Sequence, residues 1–389
     1  MLTYVATCMF GLEKLLGEEI DALGLKRILT MDGRVLFSGE PCDCARANVN
    51  LRVAERVYVL VGEAFPAPTF DALFEGCRAL PWEDYIGVNN AFPVSGHSIK
   101  SQLTSIPDCQ KILKKSIATR LGEKYRLSVL PETEAVMKIE FFIFKDEAYL
   151  MIDTSGVALH KRGYRPVANA APLRETLAAA ICLTSRVRED VMLWDPCCGS
   201  GTIVIEGAMI ATRRAPGLNR SFAGEAFGFL PPELWENARE EARCAIINDS
   251  RFMARGSDIN PDCITLTKEN ARRAGVSAHI ELAHGDMRKI RKPVPDRKGT
   301  IICNPPYGER MLSMRDAERL YRDMGTAFRA MEPWQVYVLT SCEYFERLYG
   351  RRADKVRKLY NGMIPCGLYQ YFKNFNDSDR GKREFKKKY

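Results

Sequence analysis

The second half of the chain alternates short apolar runs with longer amphipathic stretches, and turn residues follow the apolar runs. This alternation is typical of an α/β fold with a doubly wound, mostly parallel sheet. Ile364-Pro365-Cys366-Gly367 joins the last two runs tightly, so we expect one antiparallel edge. The runs predict seven strands, at Val191–Asp195, Phe252–Asp258, Ile280–Gly285, Thr300–Asn304, Gln335–Ser341, Lys358–Met363 and Leu368–Phe372.

The first part of the chain has a mixed pattern that predicts two small α+β units. Pro66-Ala67-Pro68 separates the units, and a hairpin turned at Lys145-Asp146-Glu147 closes the second. The first unit is predicted to contain elements at Tyr4–Ala6, Leu12–Leu23, Arg34–Phe37, Cys42–Leu51 and Val57–Val61. The second is predicted to contain a strand at Ala91–Val94, a helix at Pro107–Leu121 and hairpin strands at Ala135–Phe144 and Ala148–Asp153.

These patterns predict domain boundaries along the 389 residues, which is a length that suits two or three domains. We expect the two α+β units at 1–65 and 66–155, a basic linker at 156–168 and the α/β domain at 169–389. The composition of 46% hydrophobic and 27% charged residues indicates a folded globular chain rather than a disordered one.

Composition also argues against a metal site and a membrane span. Thirteen cysteines are present, but none form the paired Cys-x-x-Cys arrangement of a zinc site, so we interpret adjacent Cys197 and Cys198 as packing residues. No apolar run approaches the ~18 residues that cross a bilayer, and no basic segment precedes an apolar one at the N-terminus. We therefore expect a cytoplasmic protein without metal or membrane partner.

The net charge of +8 suits a polyanionic partner without requiring one. Seven Lys and Arg residues but only two acidic residues lie between His97 and Arg126. A solvated helix face is the simpler interpretation of this excess, and an RNA-binding face is the alternative. The candidate RNA contacts in this stretch are His97, Lys100, Lys111, Lys114 and Lys115.

A second basic stretch lies at the predicted junction with the α/β domain. Arginine pairs with phosphate and stacks on bases, and tyrosine also stacks, so its composition suits a linker that faces RNA. Its candidate contacts are His160, Lys161, Arg162, Tyr164 and Arg165.

A glycine turn follows the first strand of the α/β domain, in Asp195-Pro196-Cys197-Cys198-Gly199-Ser200-Gly201-Thr202. Such a turn lets a ligand approach the backbone at the carboxyl edge of the sheet. A dinucleotide site would need a third glycine where Val204 stands, and a P-loop would need a lysine before Thr202. A cofactor with a cationic sulfonium and an amino-acid tail fits what remains, because Asp195 offers it a negative charge.

Two more acidic residues end the next strands. Asp258 is placed to accept hydrogen bonds from ribose hydroxyls, and Asp286 could accept one from an adenine amine. The structural alternative for each is a helix N-cap, and Asn260-Pro261 also has the pattern of a cap. Three acids at successive strand ends favour a ligand site.

The fourth predicted strand leads into Asn304-Pro305-Pro306-Tyr307. The Asn304 oxygen and the Pro305 carbonyl can accept the two hydrogens of an exocyclic base amine, which localises electron density on its nitrogen, and Tyr307 can stack on the base. The base must leave its stack to reach such a site. A plain proline turn with a packed tyrosine is the structural alternative.

These two motifs together resemble those of the class I RNA guanine-N2 methyltransferases, and the likeness is greatest to the RlmL/YpsC group. Ser95–Ser101, His160–Arg165, Ala171–Thr176 and Lys358–Gly362 also resemble that group, so the likeness covers nearly the whole chain. It implies a ferredoxin-like subdomain, a THUMP domain that binds RNA, and a seven-stranded Rossmann-like domain that binds S-adenosylmethionine. The implied target is guanine N2 in large-subunit ribosomal RNA.

The resemblance also implies which residues form the site. Acceptor-site residues would be Asn304, Pro305, Pro306 and Tyr307. Donor-site residues would be Asp195, Cys197, Gly199, Ser200, Gly201, Thr202, Asp258, Ile259, Asp286 and Met287.

Three other functions remain open at this level. The chain could methylate guanine N2 in tRNA, or it could be a DNA adenine-N6 methyltransferase, since the Asn-Pro-Pro-Tyr motif suits any planar amine. It could also be an RNA-binding assembly factor that has kept the fold without the chemistry. The segment from Arg213 to Arg251 predicts helical cover and carries no assigned function.

Overall fold

The computed structural model of the protein describes residues 1–166, 173–293, 297–306 and 314–372. Its strands are β1 (Leu2–Cys8), β2 (Lys26–Met31), β3 (Arg34–Gly39), β4 (Ala54–Leu60), β5 (Phe65–Pro66), β6 (Val94–Ile99), β7 (Ile139–Phe144), β8 (Glu147–Asp153), β9 (Met192–Asp195), β10 (Ala254–Asp258), β11 (Ile280–His284), β12 (Gly299–Cys303), β13 (Gln335–Thr340), β14 (Lys355–Asn361) and β15 (Ile364–Tyr371). Its α-helices are α1 (Glu13–Ala22), α2 (Pro41–Asn50), α3 (Phe70–Ala79), α4 (Ile106–Tyr125), α5 (Glu175–Thr184), α6 (Thr202–Ala211), α7 (Pro232–Cys244), α8 (Pro261–Ala274), α9 (Met314–Arg329) and α10 (Phe345–Tyr349).

The chain forms two compact units. The N-terminal unit consists of Met1–Gly163 and Arg213–Ile246, and the C-terminal unit consists of Tyr164–Thr212 and Ile247–Tyr389.

One continuous sheet runs through the N-terminal unit, in the order β2-β3-β1-β4-β8-β7-β6, with β5 paired to β8. The stretches 1–65 and 66–155, which we predicted as separate units, meet where β4 pairs antiparallel with β8, for example at Tyr58 and Asp153. Backbone hydrogen bonds therefore join the two stretches directly.

Strand β2 and helix α3, like the two-residue strand β5, have no counterpart in the sequence prediction. Strand β2 pairs with β3, but five of its six side chains are exposed, so it lacks the alternation that marks a half-buried strand. Helix α3 begins after Thr69, whose hydroxyl caps the N–H of Ala72, and it packs on α4. Thr69 is a typical N-cap residue, but Pro66-Ala67-Pro68 just before it led us to predict only a break in the chain at this point.

The segment Arg213–Ile246, which lies between α6 and β10 in the chain, belongs to the N-terminal unit. Helix α7 packs on α2, where Arg46 pairs with Glu241 at 3.1 Å, and the N–H of Gly217 donates to the carbonyl of Val49 at 2.9 Å. Phe222 stacks on buried Trp235 with ring centroids 5.2 Å apart. This insertion therefore completes the core of the N-terminal unit.

The C-terminal unit is built on a seven-stranded sheet in the order β11-β10-β9-β12-β13-β15-β14. All seven predicted strands are present within a few residues, and β11 to β13 are parallel along this order. Strand β15 pairs antiparallel with both β13 and β14, so the predicted antiparallel edge is confirmed.

The predicted position of the last turn was wrong. Strand β15 already begins at Ile364, and the chain turns at Gly362 and Met363, where Gly362 has a φ of +65°. We had placed the turn at Ile364-Pro365-Cys366-Gly367 because proline usually interrupts strands. Pro365 is tolerated here near the start of β15, paired with Tyr360 on edge strand β14.

Candidate methyl-transfer site

The glycine turn after β9 forms at the carboxyl edge of the C-terminal sheet. Gly199 and Gly201 have φ values of +54° and +81°, a conformation that glycine adopts without steric cost. A Cβ on Gly201 would lie 2.4 Å from Cγ2 of Thr267. The turn therefore requires glycine at Gly201 for its conformation and for the space around it.

Helix α8 fixes the carbonyls of this turn. The Thr267 hydroxyl donates to the carbonyl of Gly199 at 2.9 Å, and the Asn270 amide donates to the carbonyl of Ser200 at 2.9 Å. Both side chains are fully buried. Sequence analysis missed these residues, although their spacing of three places them on one helix face.

Asp258 at the end of β10 holds the backbone of two loops. Its Oδ2 accepts from the N–H of Gly199 and its Oδ1 accepts from the N–H of Asn260, both at 2.9 Å. Each oxygen keeps a second lone pair that a hydroxyl could use. The next residue, Ile259, is 63% exposed at the same edge, where it could cover a flat ligand.

Asp195 ends β9 and is only 2% exposed. Its Oδ1 accepts from the N–H of Cys197 at 3.1 Å. Burial raises the pKa of Asp195 to about 8, and the hydrogen bond from Cys197 opposes that shift. A bound cation at this edge would favour the ionised carboxylate.

The structure changes the interpretation of two predicted donor-site residues. Asp286 caps the short turn after β11, and its Oδ1 and Oδ2 accept from Nε and Nη2 of Arg288 at 2.9 and 2.6 Å, which lowers the pKa of Asp286. The Met287 side chain is 4% exposed and packs in the core with Trp194 and Ile301. Asp286 therefore already has a structural partner, and only the backbone of Met287 remains as a candidate contact.

Strand β12 lies beside β9 and runs parallel to it, with Ile301 opposite Trp194. Their carboxyl ends consequently reach the same edge, where Cys197 packs against the core cluster that contains Cys303. The first and fourth strands of the domain, β9 and β12, therefore end side by side at one edge of the sheet.

Asn304 follows β12 directly at this edge. Its Oδ1 is buried and has no hydrogen-bond partner within the described ranges. A buried carbonyl oxygen without a donor is costly, so this atom is a strong candidate for binding a ligand N–H. Pro305 is buried and Pro306 is half-buried, and Tyr307 lies outside the described residues.

The predicted basic linker ends with Tyr164 and Arg165, which are part of the C-terminal unit. Their side chains point into that unit. The Arg165 guanidinium pairs with Glu175 at 2.9 Å and donates to the Thr202 hydroxyl at 2.7 Å. The Tyr164 hydroxyl donates to buried Glu206 at 3.1 Å. The prediction that Tyr164 and Arg165 face RNA was wrong, because sequence shows their chemistry but not their burial.

Three more predicted RNA contacts have partners inside the N-terminal unit. Arg162 is 3% exposed and donates to the carbonyl of Leu159. His160 pairs with Glu55 at 3.0 Å, and Lys114 pairs with Glu132 at 2.6 Å while its ammonium lies over the Phe92 ring. These ion pairs and burial argue against a primary RNA role for the three residues.

The other predicted contacts are accessible. Lys100, Lys111, Lys115 and Lys161 are exposed, and the His97 side chain is 48% exposed while its ring lies 3.5 Å from Glu140. These five residues remain candidates for RNA contact.

No group of three or more His, Cys, Asp or Glu side chains in the described ranges could hold a metal ion. No described helix has the length and apolar character to cross a membrane.

Comparison with protein families decides the class of this chain. Residues 162–370 match the model of the RMKL-like methyltransferase domain. The chain belongs to this methyltransferase family. Residues 3–58 match the RlmL ferredoxin-like domain, and residues 67–153 match the THUMP domain. The α/β methyltransferase fold with ferredoxin-like and THUMP modules is thus as predicted.

Relatives of this methyltransferase cover almost its entire length. It is 41% identical over 372 residues to "Putative RNA methyltransferase YpsC" of Bacillus subtilis, covering 95% of this chain and 96% of that protein. It is 33% identical to the ribosomal RNA large subunit methyltransferase K/L of Psychromonas ingrahamii, covering 95% of this chain. The chain spans 50% of the length of that K/L protein.

Solved structures of similar sequence share the fold throughout. A "predicted N6-adenine-specific DNA methylase" from Listeria monocytogenes is 46% identical, with a TM-score of 0.89 and coverage of 95% of this chain and 96% of that one. A methyltransferase solved in complex with SAH is 40% identical, with a TM-score of 0.88 and coverage of 96% and 98%.

Proposed function

We propose that this methyltransferase uses S-adenosylmethionine to methylate the exocyclic N2 of a guanine in RNA, with large-subunit (23S) ribosomal RNA as substrate. The observation that carries the proposal is the buried Oδ1 of Asn304, which has no hydrogen-bond partner among the described residues and lies at the end of the strand beside the glycine turn.

The donor half of the proposal is supported by the chemistry around the glycine turn. Asp258 supplies negative charge at the end of β10, Asp195 at the end of β9 would ionise beside a bound sulfonium, and the turn lacks the lysine of a phosphate site. The similar structure solved with SAH, the demethylated form of the donor, supports the same cofactor. When bound, S-adenosylmethionine would supply an electrophilic methyl group on a cationic sulfur.

The acceptor half depends on Asn304 and Pro305. Guanine N2 carries two N–H donors, and its lone pair is delocalised into the ring. The Asn304 oxygen would accept one hydrogen and the Pro305 carbonyl the other, which localises density on nitrogen and orients it. Held in this way, the nitrogen would take the methyl group that S-adenosylmethionine supplies, leaving S-adenosylhomocysteine, and would release one proton to water.

RNA is supported as the substrate by the THUMP module and by the names of the relatives. The Listeria protein is named for adenine N6 in DNA, and that chemistry would suit the same Asn-Pro-Pro sequence. Guanine in tRNA is the other alternative. A non-catalytic assembly factor is disfavoured by the intact glycine turn and by the unpartnered Asn304 oxygen.

The test is nucleoside analysis of the product. Purified full chain is incubated with S-adenosylmethionine and either ribosomal RNA or tRNA from a strain that lacks this gene, or unmethylated duplex DNA. We expect N2-methylguanosine in ribosomal RNA alone. Methyl transfer to DNA adenine or to tRNA would replace the proposed substrate, and no transfer to any of the three would favour the assembly factor.

A further inference from the structure

Arg34 of β3 is a buried cation in the N-terminal unit that lacks an ion-pair partner. It is 9% exposed, and its Nε has no hydrogen-bond partner among the described residues. No carboxylate of the described residues lies within 4.0 Å of its guanidinium nitrogens. Burial lowers the pKa of Arg34, which reflects the cost of removing its charge from water.

The guanidinium lies 3.4 Å from the ring centre of Phe142 on β7. Strands β1, β4 and β8 stand between β3 and β7 in the sheet, which would separate the two by about 19 Å if the sheet were flat. The contact therefore requires that the sheet curls and makes this face concave. Val5, Leu36, Tyr58, Leu60, Tyr149 and Met151 pack with Phe142 in a buried apolar cluster on the same face, beneath the residues that reach solvent.

Aromatic and basic side chains continue from Phe142 towards solvent. Phe144 is half-buried and stacks on Phe142 with centroids 5.7 Å apart, and the exposed His97 ring lies 5.2 Å from Phe142. Exposed Lys145 lies over the Phe144 ring at 5.3 Å, and exposed Lys100 follows the strand that carries His97. Rings beside cations suit bases and phosphates of single-stranded RNA.

Three acidic residues lie on this face: Glu140 on β7, and Glu147 and Asp153, which share their side of β8 with Tyr149 and Met151. Glu147 accepts from the Tyr149 hydroxyl at 3.3 Å, and Asp153 pairs with Arg56. Glu140 is beyond ion-pair distance of Arg34 and binds His97 at 3.5 Å and the Ser95 hydroxyl at 2.9 Å. Burial raises its pKa, but the hydrogen bonds from His97 and Ser95 outweigh burial and lower the pKa of Glu140. It is therefore charged and already bonded, which leaves Arg34 as the cation without a counter-ion.

We propose that this concave face is an RNA-binding cleft in which Arg34 binds a backbone phosphate and Phe144 and His97 stack on unpaired bases. The proposal rests on RNA being the substrate. Replacing an unpaired buried charge by an apolar side chain of similar length should not destabilise the fold, so the charge of Arg34 is not needed for stability. Phosphate binding would give this charge a role.

The test measures RNA affinity and thermal stability of the same variants. Fluorescence anisotropy with a short labelled single-stranded RNA of mixed sequence compares the full chain with Arg34→Met, and with Lys14→Met as a matched charge control. Lys14 is exposed on α1, paired at 3.7 Å with Glu18. We expect Arg34→Met to bind about tenfold more weakly at an unchanged or higher Tm, with a salt slope reduced by about one, while Lys14→Met binds like wild type.

A second variant keeps the test decisive if Arg34→Met folds poorly. Phe144→Leu retains apolar volume but removes a stacking surface, and we expect about tenfold weaker binding. Unchanged affinity in both variants, or losses that only follow a fall in Tm, would overturn the cleft. If the wild type binds and methylates RNA in that case, the proposed function stands; if the wild type binds no RNA, both proposals fail.

Discussion

The N–H of Gly199 donates a 2.9 Å hydrogen bond to the carboxylate of Asp258. The acid at the end of β10 thereby fixes the turn at the end of β9, so one hydrogen bond joins the two strand ends. This bond makes Asp258 a positioning group as well as a candidate ribose acceptor.

Substitution of Asp258 should therefore affect donor affinity through the turn. Asp258→Asn replaces one acceptor oxygen by an NH₂ group, which leaves the N–H of Gly199 or of Asn260 without its partner. We expect at least tenfold weaker binding of S-adenosylmethionine by calorimetry, with a stability loss of about 1–2 kcal/mol. Wild-type donor affinity in this variant would show that the bond does not shape the site.

Glycine is required at Gly201 for two reasons that can be separated. Gly201→Ala would strain a φ of +81° and place Cβ 2.4 Å from Thr267. Gly24→Ala is the matched control, because Gly24 has a φ of +75° with nothing within 4 Å. Both should lose about 1 kcal/mol of stability from backbone strain, but only Gly201→Ala should lose donor binding. Equal donor affinity in the two variants would argue against the close packing.

The raised pKa of Asp195 predicts a pH dependence of stability. The unfolded chain ionises this group near its ordinary value of 3.8, and the folded chain near 8. The folded state therefore holds an extra proton between these values, and stability falls as pH rises through that window. Asp195→Asn lacks this pH dependence. As pH rises through the window, the free energy of unfolding of the variant should therefore increase relative to that of wild type by up to about 1.4 kcal/mol per pH unit.

Chemical denaturation of both proteins from pH 5 to pH 9 measures this difference in stability. The pH dependence spans about four pH units, from the pKa of Asp195 in the unfolded chain to its pKa in the folded chain. S-adenosylmethionine should bind wild type more tightly as pH rises, because its sulfonium favours the ionised carboxylate. A stability difference that is flat with pH would contradict the assigned pKa.

Arg165 should act on donor binding and not on RNA binding. It bonds the Thr202 hydroxyl and pairs with Glu175, and the Glu175 side chain is only 4% exposed. Arg165→Met should weaken donor affinity and lower the stability, because it removes the guanidinium that pairs with the buried Glu175 carboxylate, and adding Glu175→Gln should restore part of the stability. If Arg165→Met kept its affinity for the donor but lost affinity for RNA, the first interpretation of Arg165 as an RNA contact in a basic linker would be restored.

The sequence predicted the C-terminal sheet well because its seven strands are apolar runs that turns delimit. It did not predict β2, since exposed Ile28 and Leu29 carry no alternation. It also placed 213–246 with the methyltransferase domain, because chain order does not show that α7 packs on α2.

Composition identified the chemistry of the site better than the environment of each residue. Tyr164, Arg165 and Arg162 have the composition of an RNA-binding segment but are bonded inside the protein. The sequence also does not show the environment of Arg34, because only the curled sheet brings its guanidinium to the Phe142 ring.

The most direct test of the account is Asn304→Ala, assayed for both donor binding and methyl transfer to ribosomal RNA. The account predicts near wild-type affinity for S-adenosylmethionine and a fall in the transfer rate of about 100-fold or more, because the amine loses an acceptor that orients it. Asn304→Asp keeps acceptor oxygens and should retain more activity than the alanine variant. Full methyl transfer by Asn304→Ala would contradict the shared site at the ends of β9 and β12.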